Sequence, residues 1–99
     1  MPIAREDGFF WTHDLAHVSC LGIESARLGE CVDRVKAKRV SGVFGNPHFG
    51  FTGSDLHFLS ELPWIEAVWF WDVNLKDVEG LYALQNLQHF GVHPKTAGG

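Results

Sequence analysis

Six histidines and two cysteines are the residues in this 99-residue chain with the chemistry to hold a metal or attack a substrate. His13 and His17 stand four apart with Asp14 between them, a spacing that brings two imidazoles together on a helix face. No glutamate completes an HExxH pattern there. His89 and His93 are also four apart. On a strand they would share a face but lie roughly 13 Å from each other, too far for one ion. His48 and His57 stand alone. Cys20 and Cys31 form no CxxC pair and sit in no nucleophile signature. Two free buried thiols are the simplest reading, with a Cys20–Cys31 bridge as the alternative. The glycine-rich stretch GVFGNPHFGF lacks a Walker lysine and reads as a loop. No catalytic residue, metal ligand or cofactor is therefore assigned.

The elements that would position these residues emerge from an internal repeat. Residues 55–76, DLHFLSELPWIEAVWFWDVNLK, align without a gap on residues 77–98, DVEGLYALQNLQHFGVHPKTAG. Leu59, Leu62, Ile65, Val68 and Phe70 fall on Leu81, Leu84, Leu87, Phe90 and Val92. The shared skeleton is LxxLxxLxxLxL. Its first part, with period three, suits a helical or 3₁₀ turn, and its last part, with period two, a short strand. Leu15-x-x-Val18-x-x-Leu21-x-Ile23 and Ala37-x-x-Val40-x-x-Val43-x-Gly45 follow the skeleton more loosely. The anchors Val18, Val40, Ile65 and Leu87 are spaced 22, 25 and 22. The extra length falls in the turn-rich residues 46–54. Asp55 and Asp77 suit helix N-caps.

These units resemble the 22-residue leucine-rich repeats of the internalin type, closely over residues 55–92 and loosely over 15–54. The resemblance implies an α/β solenoid of about four rungs, with one parallel sheet and helical or 3₁₀ returns. It also implies a single domain: residues 1–14 as an N-terminal cap segment, 15–94 as repeats and 95–99 as a loose tail. Phe9, Phe10 and Trp11 would close the core of the first rung. One departure is expected. The asparagine that such repeats place after the strand would fall at Ala26, His48, Val73 and Lys95, so an asparagine ladder is not predicted.

With Ile65, Val68 and Phe70 inward, alternation turns Ala67, Trp69 and Trp71 outward on the concave face. The matching outward sets are Cys20, Gly22 and Glu24; Gly42, Phe44 and Asn46; and His89, Gly91 and His93. Phe44, Trp69, Trp71, His89 and His93 then make one aromatic partner-binding patch, with glycines keeping the face shallow. Exposed apolar patches mark contact surfaces, and Trp is enriched in binding hot spots. The competing reading is a strand buried on both sides, with Gly8-Phe9-Phe10-Trp11 folded across it.

A net charge of −4 argues against nucleic acid as the main partner. The basic run at residues 34–39 reads as a solvated face. A polar N-terminus and no spanning-length apolar run predict a cytoplasmic protein with no membrane partner. The leading expectation is a non-enzymatic protein-binding module, of the inhibitor or immunity type. The alternative is an assembly protein that forms homo-oligomers, at simplest a homodimer, through the uncapped edge of its last repeat. A small metal-dependent hydrolase using the histidines comes third.

Overall fold

The computed structural model describes residues 3–15, 18–73 and 75–94. The chain opens with β1 (Ala4–Glu6) and β2 (Phe9–Leu15), joined by Asp7-Gly8. Both joining residues have positive φ, 54° and 82°. That is what a two-residue hairpin turn matching the right-handed twist of its strands requires. β2 runs on into β3 (Val18–Gly22), antiparallel to it, with a register shift between Thr12 and Leu15.

From β3 onward each strand returns by a helical segment and pairs parallel. The first return is a short 3₁₀ turn, Ser25–Arg27, followed by α1 (Leu28–Lys38), which buries Cys31, Val32 and Val35. Arg39 ends α1 in the left-handed region, and its N–H bonds Lys36 O while Val40 N–H reaches back to Val35 O. These two bonds satisfy carbonyls the helix end would otherwise leave open. β4 (Gly42–Gly45) follows, then a 3₁₀ turn at Pro47–Phe49 and another at His57–Glu61. β5 (Ala67–Val73), a 3₁₀ turn at Glu79–Ala83 and β6 (His89–Pro94) complete the order.

All six strands form one sheet in the order β1-β2-β3-β4-β5-β6. The first two junctions are antiparallel and the last three parallel. The expected wholly parallel sheet is therefore a mixed α/β sheet. The cause is local: the Asp7-Gly8 turn doubles the first strand back on itself, and only residues 16 and 17 separate β2 from β3. Leu15, expected to open such a return, ends a strand instead.

The main core lies on the helical side of the sheet. Leu21, Val43, Val68 and Phe70 point there, against Cys31 and Val35 of α1 and Leu56, Leu59, Leu62 and Ile65 of the return between β4 and β5. Phe9 and Trp11 of β2 join the same core, at the hairpin end. Burying each large side chain contributes roughly 1.5–3 kcal/mol. The column breaks at β6. Phe90 pairs with Val68 and was expected inward, yet it is 51% exposed. β6 is the edge strand, and among the described residues nothing packs beyond it. Residues 95–99, expected as a tail, lie outside the described residues, as do Met1 and Pro2.

Candidate functional site

On the other face of the sheet, alternation gathers the residues expected to form a patch. Three rows cross the strands. Cys20, Gly42, Ala67 and His89 form one, Gly22, Phe44, Trp69 and Gly91 the next, and Trp71 and His93 pair in the third. The face is not uniformly open. Cys20, Phe44 and Ala67 are fully buried, with Ile3, Phe10, Val18, Trp69 and Trp71 packed around them. Trp69 and Trp71 are half-buried and His89 is exposed. His93 continues the third row along the backbone, and its side chain lies outside what is described.

Phe44 therefore leaves the expected exposed patch and becomes core. Its ring stacks on Trp71, centroids 6.2 Å apart and planes 15° from parallel. Phe49, from the turn after β4, lies edge-on to Phe10, Phe44 and Trp71 at 5.1, 6.4 and 6.5 Å. Such edge-to-face contacts add to the burial of the rings. Phe49 and Phe10 pack against this face; Phe10 lies in the segment that the competing reading folds across it, and Phe49 was not expected there.

The glycines on this face seat the chain's own rings. A Cβ at Gly22 would stand 2.9 Å from both Phe10 Cβ and the Phe44 ring. At Gly91 it would collide with the Trp69 ring. These positions were expected to keep the surface shallow for a partner. Instead Phe44 and Trp69 lie across them.

Asn46, at the end of β4, holds β4 to β5 and is fully buried. Its Nδ2 donates to Trp71 O at 3.1 Å, and its Oδ1 accepts from His48 N–H at 2.7 Å. Its own carbonyl accepts from Phe49 and Phe51 N–H. The sequence reading looked for this role at His48, two residues further on. The Asn-Pro step directly after the strand is the signal that was available. Of the other positions scored for it, Lys95 lies outside the described residues, as does Asn74 one place beyond Val73.

The candidate chemistry falls elsewhere. His13 sits on a strand, not on a helix that would align it with His17, and His17 itself is outside the described residues. His13 Nδ1 is 3.0 Å from Ser19 Oγ, and its Nε2 is 3.2 Å from Glu6 Oε2. His57 Nε2 lies 2.9 Å from Asp77 Oδ2. Among the described residues no three His, Cys, Asp or Glu side chains gather closely enough to hold a metal. Cys20 and Cys31 are free thiols in separate cores on opposite faces of the sheet. Burial pushes the Cys20 thiol up to about 12, and burial also raises Cys31. Neither supplies thiolate at neutral pH, and thiolate is the nucleophilic form.

Within the basic run, Arg34 lies over the Phe9 ring, Lys36 Nζ donates to Glu61 Oε1 at 3.0 Å, Arg39 lies 4.3 Å over Trp64, and Lys38 is exposed. No helix of the described residues is long and apolar enough to cross a membrane. The chain matches no family model, and no characterised protein or solved structure is significantly similar to it.

Proposed function

We propose that this chain is a non-enzymatic protein-binding module built as a short leucine-rich-repeat-like solenoid. It contacts its partner through the half-covered aromatic face of β5 and β6. The observation that carries the reading is the placement of Trp69 and Trp71. Both remain partly open beside exposed His89, on a face with no Asp, Glu, Lys or Arg at positions 67, 69, 71, 89 and 91. Partly open tryptophans beside a surface without these charged residues have the composition of an interface centre.

The solenoid part is supported by the backbone. The parallel strands pair Cys20 with Gly42, Gly42 with Ala67, and Ala67 with His89, offsets of 22, 25 and 22 residues. The last two returns repeat each other's bonds. Asp55 Oδ1 accepts from His57 N–H, and Asp77 Oδ1 from Glu79 N–H. Leu59 and Leu62 N–H bond Leu56 and Leu59 O, as Leu81 and Leu84 N–H bond Val78 and Leu81 O. Asp55 and Asp77 form a parallel bridge between the two units. Stacked units of this kind bury a shared core, and they offer one sheet face to a partner.

The test is capture of a partner from cells that make the protein, using the wild type beside His89→Glu. His89 is exposed, so this change places a charge on the face without opening the core. Loss of one reproducible partner in a variant with unchanged circular dichroism is the expected result. Equal capture by both proteins, with crosslinks mapping to the helical side, would overturn the reading.

A further inference from the structure

The two edges of the sheet are built differently. β1 is three residues long, fully exposed, and carries Arg5 and Glu6. Short charged edges resist pairing with another strand. β6, residues His89–Pro94, is twice as long and has no Asp, Glu, Lys or Arg, its titratable residues being His89 and His93. Beside it the core positions are more open than in the earlier units. Phe90 is 51% exposed where Leu21, Val43 and Val68 in the same column are fully buried. In the return before β6, Tyr82 is 84% exposed, and Leu81, Leu84 and Leu87 are half-buried. Their counterparts Leu59, Leu62 and Ile65 are fully buried.

We infer that this edge pairs with β6 of a second copy, antiparallel, about a two-fold axis through Gly91. The backbone fixes the register. His89 N–H bonds Glu66 O on the β5 side. Along a strand these groups alternate, so the N–H and C=O of Phe90 and Val92 point away from β5. Directly opposed residues in an antiparallel pair share a face, so the axis must pass through a residue rather than between two. Centred on Gly91, Phe90 of each copy opposes Val92 of the other, and every outward N–H and C=O of these residues is satisfied. Centred on Val92, Phe90 would instead oppose Pro94, which has no N–H to give.

A second copy is the occupant because the surface is complementary to itself. Neither strand brings an Asp, Glu, Lys or Arg to the seam, His89 of each copy opposes His93 of the other, and Phe90 gains a neighbour that its column lacks among the described residues. The guarded β1 edge disfavours head-to-tail addition of β6 to β1, so the assembly closes as a dimer and does not grow into a filament. The opposed Gly91 residues form the close, non-bonded pair at the axis. With a Trp69 ring lying over each glycine, the two aromatic faces join into one. The pairing itself stands independently of what that face binds.

The test is sedimentation velocity over a wide concentration range, with hydrogen exchange on the same samples. The wild type should sediment at twice the 11.1 kDa chain mass. The amides of Phe90 and Val92 should be protected in the dimer and lose protection on dilution, while His89 and Gly91 stay protected. Phe90→Lys changes a half-exposed side chain and should weaken the dimer about tenfold or more with the fold intact. Val92→Pro removes an outward N–H and should abolish pairing; if it unfolds, Phe90→Lys decides. A wild type that stays monomeric at high concentration overturns the proposal. So does a folded Phe90→Lys variant that dimerises as tightly as wild type, or a dimer whose Phe90 and Val92 amides exchange freely.

Discussion

Replacing Asn46 by alanine removes two hydrogen bonds, one that ties the end of β4 to β5 and one that closes the turn after β4. One is from Nδ2 to Trp71 O, and the other is from His48 N–H to Oδ1. The bonds made by Asn46 backbone O to Phe49 and Phe51 are untouched. The cost arises because the former partners are left without a bond in a part-buried setting. Leaving such a group unsatisfied costs about 1–3 kcal/mol, so the pair comes to about 2–6 kcal/mol. Against a total stability of about 5–15 kcal/mol for a domain, that is a large fraction. In urea, a loss of about 3 kcal/mol with an m-value of about 1.5 kcal/mol/M moves the midpoint down by about 2 M. Asn46→Asp separates the two bonds. It keeps the acceptor for His48 N–H, loses the donor to Trp71 O, and places a carboxylate against that carbonyl. At neutral pH it should be at least as destabilising as alanine. It should recover as pH falls, because a protonated carboxyl can donate where the amide did. Burial would raise the folded-state pKa of that aspartate, so the stability it carries is lost as pH rises. An Asn46→Ala variant within about 0.5 kcal/mol of wild type would refute the reasoning, since that is the range of a neutral surface change.

Three further outcomes follow from the packing. Gly22→Ala should cost about 1–3 kcal/mol in thermal unfolding, because its Cβ meets Phe10 Cβ and the Phe44 ring at 2.9 Å. Gly29→Ala in α1 has nothing within 4 Å and should gain about 0.5–1 kcal/mol. Leu59→Ala should cost about 2–5 kcal/mol in urea unfolding. Leu81→Ala, at the matching but half-buried position, should cost less than half of that in the monomer. Stability should also fall above the ordinary thiol pKa of 9.0, because Cys20 stays protonated in the fold to about 12 and ionises earlier when unfolded. The unfolded state binds fewer protons across that window, so the slope is negative, by up to about 1.4 kcal/mol per pH unit. Cys20→Ala should remove that share of the slope in pH-dependent denaturation.

Parts of this structure could be read from the residues and parts could not. The spacing of Val18, Val40, Ile65 and Leu87 matches the offsets at which the parallel strands pair, because a stacked strand must present its apolar set at the same height as its neighbour's. Alternation within Val-Trp-Phe-Trp placed Phe70 on one face and the tryptophans on the other. What alternation cannot show is what lies above a face. Phe44 was put in the open because nothing in its own strand covers it. The cover comes from Phe49, in the irregular turn after β4, and from Phe10, within the segment that the competing reading places across this face. The mixed sheet was missed for a different reason. Asp7-Gly8 is a strong two-residue hairpin signal, but the residues around it were read as an irregular cap. Asn46 was passed over because the resemblance fixed attention on a position two residues later.

The outer face changes character across β5, which is why Trp69 and Trp71 are neither fully buried nor fully exposed. In the row Cys20, Gly42, Ala67, His89, the first three residues are buried and the last is exposed. A face that continued as core would carry an apolar residue at position 89. A face that was surface throughout would not bury Phe44 completely. Trp69 and Trp71 stand at the border between the two, where a large ring can pack on one side and meet solvent on the other. Trp71 leans on Phe44 and so belongs more to the fold. Trp69, across Gly91, belongs more to the edge. Removing both at once would therefore confuse a folding defect with a binding defect. Placing a charge at exposed His89 addresses binding, and truncating Trp71 alone addresses stability. If truncating Trp71 left the urea midpoint unchanged, the stacking on Phe44 would contribute nothing measurable, and the border would have to be moved inward to β4.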